Sequence, residues 1–143
     1  MDILENKKVV YTAQSKKFYF AKMLICKYVL EHNAVPLNPF NVFGYFLHDL
    51  VERDIVRNAN SNVIRVSDEI WVFGSIADGV LFEIEYGMKL NKKIKFFTVG
   101  SSVEQIKPIT DFNTLHFESK VLKKHSSEVL IKKIDTYVKG FND

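Results

Sequence analysis

One stretch, Glu69 to Val99, constrains the fold more than any other. Glu69 to Gly74 (EIWVFG) is a near-continuous apolar run, the pattern of a strand covered on both faces. Asp78 to Leu90 then carries apolar residues at helical spacing, with Asp78 placed to cap the helix. Lys93 to Val99 (KIKFFTV) is a second β-rich run. A strand, a helix and a strand in so short a stretch predict parallel strands joined by a right-handed crossover. The chain is therefore expected to build a parallel sheet with helices on both faces.

The flanking sequence extends the alternation. Lys8 to Ala13 (KVVYTA) reads as a first strand, Lys17 to His32 as a helix stopped at Asn33, and Ala34 to Leu37 as a second strand. Asn38-Pro39 marks a break, and Phe40 to Phe46 an aromatic loop. Leu47 to Val66 reads as a helix, with a break expected in the poor helix formers Asn58-Ala59-Asn60-Ser61-Asn62. After Gly100 the periodicity weakens. Thr114 to Phe117 is a candidate fifth strand and Ser126 to Phe141 a terminal helix. The expectation is one domain over residues 1–143, with 100–143 its least patterned part, and a sheet of four or five strands with the Glu69 strand central.

Composition narrows the function classes. Twenty basic and 17 acidic residues leave a formal charge of +3, too small and too scattered for a nucleic-acid stripe. The lysine runs read as solvated helix ends. No apolar stretch is long enough to span a bilayer. The single cysteine, Cys26, lies in an apolar run and reads as a buried, inert thiol. With a charged N-terminus that lacks an apolar leader, it fits a reducing cytoplasm. The four histidines are dispersed, without metal-ligand spacing, so no metal is expected. No P-loop or Gly-x-Gly-x-x-Gly occurs, so no nucleotide cofactor is expected either.

In parallel α/β sheets, ligands bind beyond the carboxyl ends of the strands. That rule selects Tyr11 to Lys16, Asn38 to Phe40, Gly74 to Gly79 and Val99 to Ser102. From these segments the candidate ligand-binding residues are Ala13, Gln14, Asn38, Phe40, Gly74, Ser75, Asp78 and Gly79. Just beyond, Gly79, Glu83 and Gly87 are spaced i, i+4, i+8 on one helix face. Two glycines would leave open space around the carboxylate, while Leu81, Ile84 and Met88 pack on the sheet. The helix dipole favours an ionised Glu83, the form a nucleophile at a sugar carbon requires. Spacing alone equally describes a solvated helix glutamate.

The segment Asp68 to Phe97, with Asp68, then Gly79-x-x-x-Glu83, then Lys93 to Phe97, resembles the nucleoside 2-deoxyribosyltransferase family and its deoxynucleotide N-glycohydrolase relatives. The run Glu83-Ile84-Glu85-Tyr86 is similar to small bacterial and phage-borne members of that superfamily. The resemblance implies a flavodoxin-like, Rossmann-like three-layer sandwich. It implies Glu83 as a nucleophile that attacks the anomeric carbon, Tyr11 as the residue that hydrogen-bonds it, and Asp54 as an acid that helps hold sugar or base. It further implies a nucleoside or nucleotide as partner and a homodimer or higher oligomer. The loop Ala13-Gln14-Ser15-Lys16-Lys17 lacks the family's Gly or Pro, which favours an alternative: an inactive nucleotide-binding sensor, or an interaction protein, on the same fold. Retention of Glu83 between two glycines favours the enzyme.

Other residues carry two readings. Arg53, Arg57 and Lys16 either meet a phosphate or form a solvated face. Phe40, Phe43, Tyr45 and Phe46 either cover a base or fill a dimer contact. His48-Asp49 is a weak pocket candidate, and Trp71 reads as core.

Overall fold

A computed structural model describes residues 4–44 and 50–141. Four parallel strands form the sheet: β1 (Val9–Gln14), β2 (Val35–Leu37), β3 (Glu69–Phe73) and β4 (Lys93–Phe97). Their order is β2-β1-β3-β4, so β1 and β3 are the inner strands, as expected of the Glu69 strand. The connecting helices are α1 (Lys22–Glu31), α2 (Pro39–Val42), α3 (Arg53–Val66) and α4 (Asp78–Lys89). A short α5 (Ser119–Leu122) and a terminal α6 (Ser127–Gly140) follow.

Alternation along the inner strands builds two cores. Tyr11, Ala13, Ile70 and Val72 face one side, where Ile64 of α3, Val80, Leu81 and Ile84 of α4, and Leu130 and Ile134 of α6 cover them. Val10, Trp71 and Phe73 face the other, under Ile25, Tyr28 and Val29 of α1. The Leu81, Ile84 and Met88 stripe packs on the sheet as its spacing predicts. Trp71 is a core residue, its indole N–H donating to Glu69 Oε1 at 2.9 Å.

Several elements differ from expectation. There is no fifth strand at Thr114 to Phe117. Thr114 closes a 3-10 turn (Phe112–Thr114), and Phe117 makes one isolated parallel bridge with Ile76. The Lys17 to His32 helix is split. Its start is a 3-10 segment (Lys16–Ala21) in which Phe18 leaves helical geometry at φ −105°, ψ 21°. Gln14 Nε2 donates to the Phe18 carbonyl at 2.7 Å, which draws that carbonyl out of a regular helix. The expected break at Asn58 to Asn62 is absent. Ser61 Oγ and Asn62 Nδ2 turn back onto the Arg57 and Asn58 carbonyls at 3.0 and 2.9 Å, so these polar side chains bond within α3 instead of interrupting it. The cap of α4 is Ala77, and Asp78 is the acid of its first turn. Asn33 takes a left-handed φ of 63° just past α1, where a stop was expected. The expected helix start at Leu47, and Tyr45, Phe46, His48 and Asp49, lie outside the described residues. Among those described, no helix is long and apolar enough to cross a membrane.

Candidate functional site

Tyr11 lies mid-strand on β1 and points toward α4, which runs back over the same face. Glu83, just past the first turn of α4, points down to meet it. The Tyr11 hydroxyl donates a hydrogen bond to Glu83 Oε2. These residues are 72 positions apart in sequence, and only the β1–β3 pairing with the α4 crossover unites them. Arg57 of α3 adds a positive charge that acts on Glu83, and its guanidinium lies 5.4 Å from the Phe82 ring centroid. Phe82 stacks in turn with Tyr86, at 6.3 Å between centroids.

The electrostatics differ from the helix-dipole expectation. Burial of the Glu83 carboxyl raises its pKa to about 7, and the Tyr11 hydrogen bond and the Arg57 charge offset this only in part. Near neutral pH the group therefore populates both its charged and neutral forms. Burial, the Glu83 charge and the shared hydrogen bond all push the Tyr11 phenol well above its ordinary range. Tyr11 thus stays a proton donor to Glu83 rather than a competing anion.

The two glycines that flank Glu83 behave differently. A side chain at Gly79 would meet nothing within 4 Å, so the first turn of α4 is open beside Glu83. Gly87 is instead buried, and a Cβ there would run into Ile70 Cδ1. Its role is close packing of helix on sheet, not the clearing of space around the carboxylate.

The remaining candidates fall into separate places. Gln14 and Asn38 are buried and bonded together, Asn38 Nδ2 to Gln14 Oε1 at 2.7 Å. Asn38 Oδ1 also caps α2 by accepting from the Phe40 N–H, and the Phe40 ring meets Tyr19 edge-on at 5.4 Å. Strand alternation puts Gln14 on the face opposite Tyr11, so this group is not beside Glu83. Ala13 is fully buried in the core. Gly74 turns the chain at φ 80°, with the Phe18 ring 2.9 Å from where its Cβ would sit. Asp78 and Gly79 are exposed on the first turn of α4. Asp54 is exposed in the first turn of α3, one turn before Arg57.

Ser75 leads to residues absent from the candidate set. Its Oγ donates to Glu118 Oε2 at 2.5 Å, and Lys17 Nζ stands 3.8 Å from Glu118 Oε1. Glu118 arrives there through the Ile76–Phe117 bridge, the one strand-like pairing formed within the expected Thr114 to Phe117 strand. Arg57, expected either to meet a phosphate or to form a solvated face, acts on Glu83 because α3 packs on α4. Cys26 is half-buried rather than buried. Burial is the largest influence on its thiol and raises its pKa, so it is not an activated nucleophile. No cluster able to hold a metal occurs among the described residues. Two surface clefts, of about 540 and 490 Å³, lie by Trp71, Lys95 and Phe112 and by Asp111 and α6, away from Glu83.

A parallel four-stranded sheet in this order, with helices on both faces, defines a flavodoxin-like α/β protein. Within that class, a family model described as a domain of unknown function (DUF7768) matches residues 11–97, from the Tyr11 strand to the end of β4, and the chain belongs to that family. A solved structure of a 2-deoxyribosyltransferase from the psychrotolerant bacterium Bacillus psychrosaccharolyticus is similar, at a TM-score of 0.50 and 15% identity, covering 85% of this chain and 95% of the other. At that identity the likeness is one of fold. Comparison with curated proteins finds no match.

Proposed function

We propose that the protein carries out N-glycosidic bond chemistry on a nucleoside or nucleotide, as a deoxyribosyltransferase or an N-glycohydrolase, with Glu83 as nucleophile. The observation that carries this reading is the Tyr11–Glu83 hydrogen bond under α4. A nucleophilic carboxylate must be ionised, held in one orientation and shielded from bulk water. Tyr11 fixes one oxygen, and in this reading the other one attacks. Arg57 favours the charged form, and burial removes the water that would otherwise solvate it. Attack of the free oxygen on the anomeric carbon forms a glycosyl ester and releases the base as leaving group. Transfer to a second base, or to water, then breaks the ester and frees the carboxylate. The fold likeness to a 2-deoxyribosyltransferase and the motif Gly79-x-x-x-Glu83 support the same class.

The test is a panel of nucleosides, nucleotides and NAD, with free base as the readout. Wild-type protein is expected to release base from at least one compound. Glu83→Gln, which keeps the shape and loses the nucleophile, is expected to lose at least about 100-fold in turnover while still binding. Equal turnover by both proteins would remove Glu83 from the mechanism.

A further inference from the structure

The edge of the sheet at β4 is only half covered. The Thr98 N–H donates to the Lys107 carbonyl at 2.9 Å and the Ile109 N–H to the Phe96 carbonyl at 2.8 Å, so residues 107–109 close the carboxyl half of the strand. A cleft of about 540 Å³ opens beside the other half, reaching from the end of α1 to the end of α6. Its floor is aromatic. The Trp71 and Phe97 rings lie 5.1 Å apart, Tyr28 meets Phe97 edge-on at 5.3 Å, and His32 stacks on Tyr28 at 3.9 Å. A cleft of this volume and lining suits a small molecule with a flat, apolar body.

The charge at its rim is positive. Lys8, Lys95 and Lys139 line the cleft. Lys139 is matched by Asp135 at 2.8 Å. Lys8 and Lys95 share the single carboxylate of Glu69. Both oxygens of that carboxylate are engaged, Oε2 by Lys8 Nζ at 3.0 Å and Oε1 by the Trp71 indole N–H at 2.9 Å. Lys95 Nζ stands 3.8 Å from Oε1, beyond hydrogen-bond length, and 5.1 Å from the centroid of the Trp71 ring. Three cations thus face two carboxylates, and the surplus charge rests on Lys95, over the aromatic floor. Burial and the charges of Lys8 and Lys93 act against this ammonium, Glu69 opposes them, and the balance lowers the Lys95 pKa. An anion placed beside Lys95 relieves that imbalance. We infer that the cleft binds a planar aromatic carboxylate, with its ring on the Trp71 and Phe97 floor and its carboxylate on Lys95 Nζ. One surplus positive charge matches a monoanion rather than a doubly charged phosphate. The site lies away from Glu83, and the inference is independent of the glycosidic reading.

The chain has one tryptophan, so the indole N–H of Trp71 gives a single NMR resonance that reports on the floor of the cleft. Titration with 2-naphthoate is expected to shift that resonance saturably. 2-Naphthamide keeps the ring without the charge, and cyclohexanecarboxylate keeps the charge without the flat ring. Each is expected to bind about tenfold or more weakly than naphthoate. Lys95→Gln is expected to bring naphthoate down to the level of the amide. Lys139→Gln removes the same charge from a lysine already matched by Asp135, and is expected to leave the preference in place. Glu83→Gln should leave it in place too. The Lys95 side chain is 37% exposed on an edge strand, so its variant is expected to fold. Should it not, the salt dependence of the naphthoate preference in the wild-type protein decides, since the preference is expected to shrink as salt screens the ammonium. Equal binding of naphthoate and either analogue overturns the inference. So does a preference that neither Lys95→Gln nor salt reduces, or the lack of any saturable shift.

Discussion

In the proposed chemistry one ionisation, that of Glu83, bears on both function and stability. Its carboxyl titrates near 7 in the folded chain, against about 4.3 in an unfolded one. The folded state therefore holds this proton more tightly. Between about pH 4.5 and 7 the unfolded state binds fewer protons, so this group's contribution to stability falls as pH rises through that window. Glu83→Gln removes the dependence. The variant is expected to gain on wild type by about 3–4 kcal/mol at pH 8 and by little at pH 4.5, read from urea unfolding at both values. A variant less stable than wild type at pH 8 would contradict the burial of that carboxyl. Activity should follow the opposite course, rising with pH through about 7 as the nucleophile ionises. At this scale the family resemblance paired Tyr11 with Glu83, and the two are hydrogen-bonded, although Tyr11 lies mid-strand and not at the strand end. Gln14 was grouped with Tyr11 by proximity in sequence, and strand alternation separates them. Glu118 was not among the candidates, because the single Phe117–Ile76 bridge beside it depends on tertiary contact.

The elements that position the site obey packing more than propensity. α4 lies close on the sheet because Gly87 has no side chain to meet Ile70. Gly87→Ala is expected to cost about 1–3 kcal/mol by overpacking and to shift Glu83 away from Tyr11. Gly79→Ala, with nothing within 4 Å, is expected to be neutral or slightly stabilising. Equal stabilities for the two variants, by thermal melting, would contradict the close approach. The central strands and α4 were legible because burial on both faces and a helical stripe write themselves into the apolar pattern. The bent start of α1 was not legible, since the side-chain bond from Gln14 to the Phe18 carbonyl decides it. The continuity of α3 through Asn58 to Asn62 was hidden for a similar reason, because its polar side chains bond back to the helix.

For the whole molecule, apolar residues stand exposed on several elements: Leu50 is 83% exposed, Ile55 57% and Phe82 39%, with Met23 at 67% on α1 and Val129 at 65% on α6. Exposed apolar surface marks interfaces, and a homodimer that buries Ile55 is expected. Light scattering should give twice the chain mass, and Ile55→Glu should return it to the monomer. A monomeric wild type at high concentration would contradict this. The fold class was legible from the strand and helix alternation up to Phe97. Past that point the chain contributes short bridges, 3-10 turns and α6 rather than a further strand. Such bridges depend on tertiary contact, which is why residues 100–143 were the hardest to read.

The central claim is that Glu83 forms a bond to the sugar, and mass spectrometry of the acid-quenched protein tests it most directly. Wild-type protein is mixed with a 2′-deoxynucleoside that it cleaves, quenched within the first turnover, and digested. An added deoxyribosyl mass is expected on the peptide that contains Glu83, absent from Glu83→Gln. Base release with the adduct on another residue, or an equal adduct in Glu83→Gln, would contradict it.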